Sequence, residues 1–200
     1  MIKPFTEEQF YNKLGWQYKS DVERKNCIFV KTENIRTQIS NISRLMYNNK
    51  HWGLLIIGPF GNGKTTAVGA IKHTINQLIG ERYFAEGEIF PWEWMESVNA
   101  REMINLYLRD KDNNKFTDLK ERLWLIIDDI GLDPAEIMVY GTKFYPFLEL
   151  IDYRYEHRLP TILVSNLKRT ELLKHYADER FNDRFNEMFN TTIFKDNSFR

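Results

Sequence analysis

Residues 58–65 read GPFGNGKT, entered from the apolar run GLLII and left through TAVGAIKHTINQLIG. No other feature constrains the chain as tightly. The spacing G-x-x-x-x-G-K-[ST] holds phosphate where a strand precedes it and a helix follows. Leu54–Ile57 supplies a strand of buried type, and Val68, Ile71, Ile75, Leu78 and Ile79 recur on one helical face that is predicted to end at a Gly80 cap. Gly58, Gly61 and Gly63, with Pro59, Phe60 and Asn62 between them, let the backbone aim N–H groups at phosphate oxygens, and the helix start adds its positive end. Lys64 is placed to bridge β- and γ-phosphates and Thr65 to ligate Mg²⁺, with Thr66 completing the loop. The expected ligand is ATP with Mg²⁺. A glycine turn with a surface lysine is the competing reading, and both flanks count against it.

Two further stretches end in polar groups that a buried strand does not ordinarily carry. LWLIIDD places Asp128 and Asp129 at the end of an apolar run, where burial of acids is costly. A metal ion beside the glycine loop supplies the reason: Asp128 binds it directly or through its water, and Asp129 orients or deprotonates a water molecule. Helix capping by Asp129 is the bland alternative. PTILVSNL sets Asn166 at the same expected sheet edge, as an uncharged holder of a water or phosphate oxygen, or as a turn capping the next helix. In ADERFNDRF, Arg180 and Arg184 lie four apart on one helix face, with Asp183 and Glu187 available as ordinary surface partners.

The strands alternate with helices. TEEQF begins a short capped helix, and Ile35, Ile39, Ile42, Leu45 and Met46 mark an amphipathic one. WEWMESV is a strand, and AREMINLYLRD a helix with Met103, Ile104, Tyr107 and Leu108 on its apolar side. KDNNKFTDLKER reads as a charged surface connection and EIMVYGTKFYPFLELIDYRYEHR as mostly helix, with Pro146 at a bend or helix start. One or two helices and a last strand, TTIFKD, follow. This order argues for an α/β fold with a mostly parallel sheet covered on both faces.

Lysine plus arginine equals aspartate plus glutamate at 28 each, which excludes nucleic-acid binding by overall field and leaves only local patches. The single cysteine, Cys27, excludes an internal disulfide and a cysteine-rich zinc site, and reads as buried or incidental. The four histidines have no ligand-like spacing. No apolar run reaches the length of a membrane span, and a cytoplasmic protein is expected.

In this order, GPFGNGKTT, LWLIIDDIGLDP, LIDYRYEHRLPTILVSNL, ERFNDRF and TTIFKDNSFR resemble the AAA+ ATPases of the DnaC/IstB family, bacterial helicase loaders and transposition ATPases. The resemblance runs from about Asn34 to Arg200. It implies a three-layer α/β/α P-loop domain over residues 33–200 without a separate C-terminal lid; where the family carries a sizeable N-terminal partner domain, residues 1–32 are expected to form a short partner-binding element, or else the partner docks elsewhere. It implies ATP hydrolysis between subunits of a ring or spiral, hexamer-like assembly, engaged with DNA, single-stranded first, and with a replicative helicase or a transposase. Asn166 falls at the sensor-1 position, Arg184 at the arginine finger acting in trans with Arg180 as fallback, and Arg200 at sensor 2. By position, Tyr140 and Lys143 face the DNA, unless they belong to a helix core or plain surface. Many relatives carry Asp-Glu where this chain has Asp128-Asp129. A nucleotide-gated scaffold with weak hydrolysis and a small P-loop kinase are the readings from other classes.

Overall fold

The computed structural model describes residues 6–47, 51–86, 95–109 and 114–195. Five parallel strands form one sheet in the order β2 (Met95–Asn99), β3 (Trp124–Asp128), β6 (Thr161–Ser165), β1 (Gly53–Ile57), β7 (Phe189–Ile193). The central strand β1 is buried at every residue and pairs with β6 and β7 on either side. Its side chains alternate between two cores. Leu54 and Ile56 face helices α1 (Glu7–Arg24), α2 (Glu33–Tyr47) and α3 (Lys64–Glu86), packing with Phe10, Leu14, Ile39 and Ile71. Leu55 and Ile57 face α4 (Ala100–Arg109), α5 (Lys115–Glu121), α6 (Pro146–Glu156), α7 (Arg169–Tyr176) and α8 (Glu179–Met188), packing with Phe147, Leu150, Phe181 and Phe185. Each such buried Leu or Ile stabilises the fold by about 2 kcal/mol. The expected three-layer α/β/α arrangement with a parallel sheet is the one observed.

Several local expectations are corrected. Helix α1 runs 18 residues from a Thr6–Gln9 capping box, and packs against α2 and α3. Helix α3 continues through Gly80 to Glu86, so this glycine is no cap. The charged connection contains α5, whose Phe116 and Leu119 are buried. Leu108 of α4 is 45% exposed, so the apolar side of that helix is Ala100, Met103 and Ile104, with Tyr107 half-buried against Phe116. Of the segment read as mostly helix, only Pro146–Glu156 is helical. Its first part is a hairpin of β4 (Ile137–Val139) and β5 (Thr142–Phe144), in which Val139 pairs with Thr142 across Tyr140 and Gly141. Positive φ at both turn residues, 49° and 80°, suits a two-residue hairpin turn. Cys27 is exposed rather than buried. The start of the WEWMESV strand lies outside the described residues.

Buried Arg154 joins the start of β6 to the end of α5 and the connection that follows it. Fully buried on α6, it donates to Thr161 Oγ1 at 2.7 Å and to the carbonyl oxygens of Lys120, Arg122 and Pro160 at 2.8, 2.8 and 2.6 Å. Burial pulls its guanidinium down to about 9, and these four acceptors keep it charged at neutral pH.

Candidate nucleotide-binding site

The glycine loop leaves the carboxyl end of β1 and enters α3, at the edge where β3 and β6 also end, the place at which open parallel sheets bind ligands. Two contacts fix the loop from behind. Asn62, 1% exposed, donates from Nδ2 to the Phe194 carbonyl at 2.9 Å, just past the end of β7. Its side chain therefore anchors the loop to the residue that follows β7. Gly63 has φ +88°, and a Cβ there would fall 2.6 Å from the Tyr18 hydroxyl oxygen of α1. Phe60 stands 69% exposed at the loop's outer turn. Lys25, just past α1, donates to Thr66 Oγ1 at 2.8 Å. Sequence patterns flag neither Tyr18 nor Lys25, because both reach the loop only through the packing of α1 on α3.

Five of the expected residues converge on this edge. Lys64 Nζ donates to the Gly58 and Pro59 carbonyls at 2.7 Å each and to Asn166 Oδ1 at 2.8 Å. Asn166 Nδ2 in turn donates to Asp129 Oδ1 at 3.3 Å. The Thr65 hydroxyl faces Asp128 Oδ2 at 3.4 Å, and the Asp129 N–H donates to Asp128 Oδ1 at 2.8 Å. Asp129 has φ +58°, a left-handed conformation that aspartate tolerates better than most residues. It is followed by a turn, not a helix, so the capping alternative falls away. Asn166 likewise spends both ends of its amide on Lys64 and Asp129.

The electrostatics follow from partial burial. Burial lowers the Lys64 ammonium from its usual range, with Asp128 and Asp129 acting against that shift. Burial raises the Asp128 carboxyl, opposed by the Asp129 N–H and assisted by the Asp129 charge. Both groups are thus destabilised in their charged forms, and a phosphate near Lys64 or a cation near Asp128 relieves that cost. Thr65 and Asp128 offer the oxygen donors a hard cation such as Mg²⁺ prefers, few in number as such a site requires.

The loop after Asp129 has its own clamp, which the sequence did not reveal. Asp133, 1% exposed, accepts from the Gly131 N–H at 2.9 Å and from the Tyr176 hydroxyl at 2.8 Å. The Gly131 N–H also reaches Tyr176 Oη at 3.1 Å. Burial, with Asp133 alongside, raises the Tyr176 phenol well above its ordinary value.

The remaining expected residues lie apart from this cluster. Arg184 is on α8 against α6, with Nη1 at 2.5 Å from Asp152 and Nη2 at 3.2 Å from Glu156. Its partners are thus on α6, not Asp183 and Glu187 of its own helix. Tyr140 is 93% exposed at the hairpin tip, and Lys143 is paired with Glu136 at 2.9 Å. Neither is in a helix core. Arg200 lies outside the described residues.

Solved structures share this architecture. DnaI aligns with TM-score 0.59 at 21% identity, over 86% of this chain and 88% of that one. The DnaC helicase loader aligns with TM-score 0.56 at 19% identity, over 84% and 93%. The chain therefore shares the fold of the DnaI and DnaC structures. AMPPCP-bound DnaA from Aquifex aeolicus shares it too, with TM-score 0.53 at 16% identity over 82% of this chain and 48% of that one. In sequence, the chain is similar to ORC1-type DNA replication protein 14 from Haloarcula marismortui, 21% identical over 156 residues. That match takes in 78% of this chain and 33% of the relative, so the chain spans about a third of that protein's length. No family model matches the chain. Among the described residues, no helix is long and apolar enough to cross a membrane, and no group of three or more His, Cys, Asp or Glu side chains could hold a metal.

Proposed function

We propose that this AAA+ domain binds and hydrolyses ATP at interfaces between its own copies while engaging DNA, as a helicase loader of the DnaC type. An IstB-like role with a transposase is the near alternative. The observation that carries the reading is the chain from Lys64 through Asn166 to Asp129, which joins the phosphate-binding residue to the candidate base. In this reading Lys64 exchanges its carbonyl partners for β- and γ-phosphate oxygens, and Asn166 holds the attacking water beside Asp129. The water oxygen bonds to the γ-phosphorus as the β–γ bridging P–O bond breaks. ADP leaves with the bridging oxygen, the water oxygen stays on the released phosphate, and the water proton passes to Asp129. Thr65 and Asp128 would hold Mg²⁺, which neutralises phosphate charge when bound.

DNA contact falls to the hairpin in this reading. Tyr140 offers an exposed ring for base stacking. Lys143 contributes less, because Glu136 already neutralises it. The first 32 residues supply the partner surface through exposed Trp16, Ile28 and Val30. Likeness to a helicase loader supports the loading role, and a replication initiator bound to AMPPCP and single-stranded DNA shares the fold.

Phosphate release, measured with and without a single-stranded oligonucleotide, tests the proposal. DNA-stimulated turnover with all label recovered as inorganic phosphate supports it. Tight ATP binding without turnover favours the nucleotide-gated scaffold, and label transferred to an acceptor favours a kinase.

A further inference from the structure

Helix α1 packs along α3 and at its end brings a lysine to the glycine loop. Gln17 and Asp21 of α1 each meet His73 Nδ1 of α3 at 3.3 Å. Past the last turn, Lys25 Nζ donates to Thr66 Oγ1 at 2.8 Å. The root of that side chain is fixed, because the Lys25 N–H closes α1 on the Val22 carbonyl at 3.1 Å. The two nearest acids of α1 are engaged elsewhere. Asp21 pairs with Arg24 and His73 at 3.3 Å each, and Glu23 with Lys19 at 3.8 Å. Among the described residues, no carboxylate is ion-paired with Lys25.

The carbonyl end of α1 favours a cation, yet this ammonium is spent on a neutral hydroxyl in the first turn of α3. There the helix dipole is positive and Lys64 is already present, so a second cation is repelled unless an anion joins it. An ammonium has three donors, and Thr66 Oγ1 takes one. Consecutive residues of a helix point about 100° apart. Lys64 turns to Asn166, Thr65 to Asp128 on the expected metal side, and Thr66 to α1. Lys25 therefore approaches from a flank apart from the residues assigned to the γ-phosphate, toward the part of the loop whose backbone cradles the phosphates that ATP and ADP share. We propose that Lys25 is a nucleotide-binding residue whose ammonium leaves Thr66 Oγ1 for an oxygen of the α- or β-phosphate. The assignment rests on the reading of this edge as a nucleotide site. Residues 1–32 then carry a share of the nucleotide affinity.

The test measures affinity for fluorescent ADP and ATP analogues, and thermal melting without nucleotide, in wild type, Lys25→Met, Lys25→Arg and Arg24→Met. Arg24 carries the same charge one residue earlier but holds Asp21 and Ser20 of its own helix. Lys25→Met is expected to weaken binding of both analogues by the same factor, roughly tenfold to a hundredfold, the scale of a hydrogen bond to a charged group. Its melting temperature stays at the wild-type value, since only an exposed hydrogen bond is lost. Lys25→Arg keeps most of the affinity, and Arg24→Met binds as wild type does. Wild-type affinity in Lys25→Met overturns the assignment. An equal loss in Arg24→Met does so too, by tracing the effect to surface charge. A loss in Lys25→Arg as large as in Lys25→Met, or a melting temperature that falls with the affinity, makes the Thr66 contact a structural tie and overturns the assignment as well. A loss confined to the ATP analogue moves Lys25 to the γ-phosphate and overturns its placement. Failure of the wild type to bind either analogue overturns the nucleotide reading itself, and the assignment with it.

Discussion

Lys64 and Asn166, 102 positions apart in the chain, meet through a 2.8 Å hydrogen bond at the carboxyl edge of the sheet. The contact exists because β1 and β6 are hydrogen-bonded neighbours in register, Ile57 beside Ser165, so that the residues just past each strand converge. Asn166→Ala removes the amide that joins Lys64 to Asp129 but leaves the loop intact. We expect nucleotide affinity to change by no more than a few-fold and single-turnover hydrolysis to fall by about 10²-fold or more, the cost of deleting one well-placed polar group. Hydrolysis at the wild-type rate in this variant would show that Asn166 takes no part.

The glycine loop is shaped by α1 as well as by its own sequence. Gly63→Ala places a Cβ at φ +88° and 2.6 Å from Tyr18 Oη, and should abolish detectable nucleotide binding. Tyr18→Phe removes that oxygen, and the next ring atom is 3.8 Å away. The double variant should therefore recover part of the lost binding, measured by titration with a fluorescent analogue. Equal loss in the single and double variants would place the whole effect in backbone strain.

Tyr176 ties the loop after Asp129 to α7 through Asp133. Tyr176→Phe leaves a buried carboxylate short of a donor, a loss of about 1–3 kcal/mol in urea unfolding near pH 8. Because the phenol is raised well above 10.0 in the folded protein, the unfolded chain releases this proton first as pH rises. The contribution of Tyr176 is then full below about pH 10 and diminishes above it. The gap between wild type and variant should narrow at pH 11. A gap that widens would reverse the assigned direction of the shift.

At the hairpin, Tyr140→Ala should weaken binding of a fluorescent single-stranded oligonucleotide by about 1–3 kcal/mol. Lys143→Ala should cost less, since its ammonium is held by Glu136. Anisotropy titrations at two salt concentrations check both, and a larger loss for Lys143→Ala would contradict the order.

The buried strands were legible in the sequence because LLII, LWLII and ILV are short uninterrupted apolar runs bounded by polar or turn residues, the pattern of strands in a sheet covered on both faces. The residues at their ends were legible for the same reason: Asp128, Asp129 and Asn166 are polar where the pattern calls for apolar. The hairpin was not, because Ile137, Met138, Val139 and Tyr140 fit a helical spacing as well as a strand. The usable signal was Tyr140-Gly141, a pair that can take positive φ, between alternating side chains. Helix α5 was hidden by its charges, although Phe116 and Leu119 are spaced for one buried face. Contacts made only by tertiary packing left no mark in local sequence. Arg184 with Asp152 spans 32 positions and Asp133 with Tyr176 spans 43, so neither clamp is local.

The most direct measurement is ATP turnover and nucleotide affinity of wild type and Lys64→Ala, side by side, with Mg²⁺ and single-stranded DNA. We expect the wild type to release phosphate and Lys64→Ala to lose both binding and turnover. Wild-type affinity and turnover in Lys64→Ala would contradict the assignment of this site.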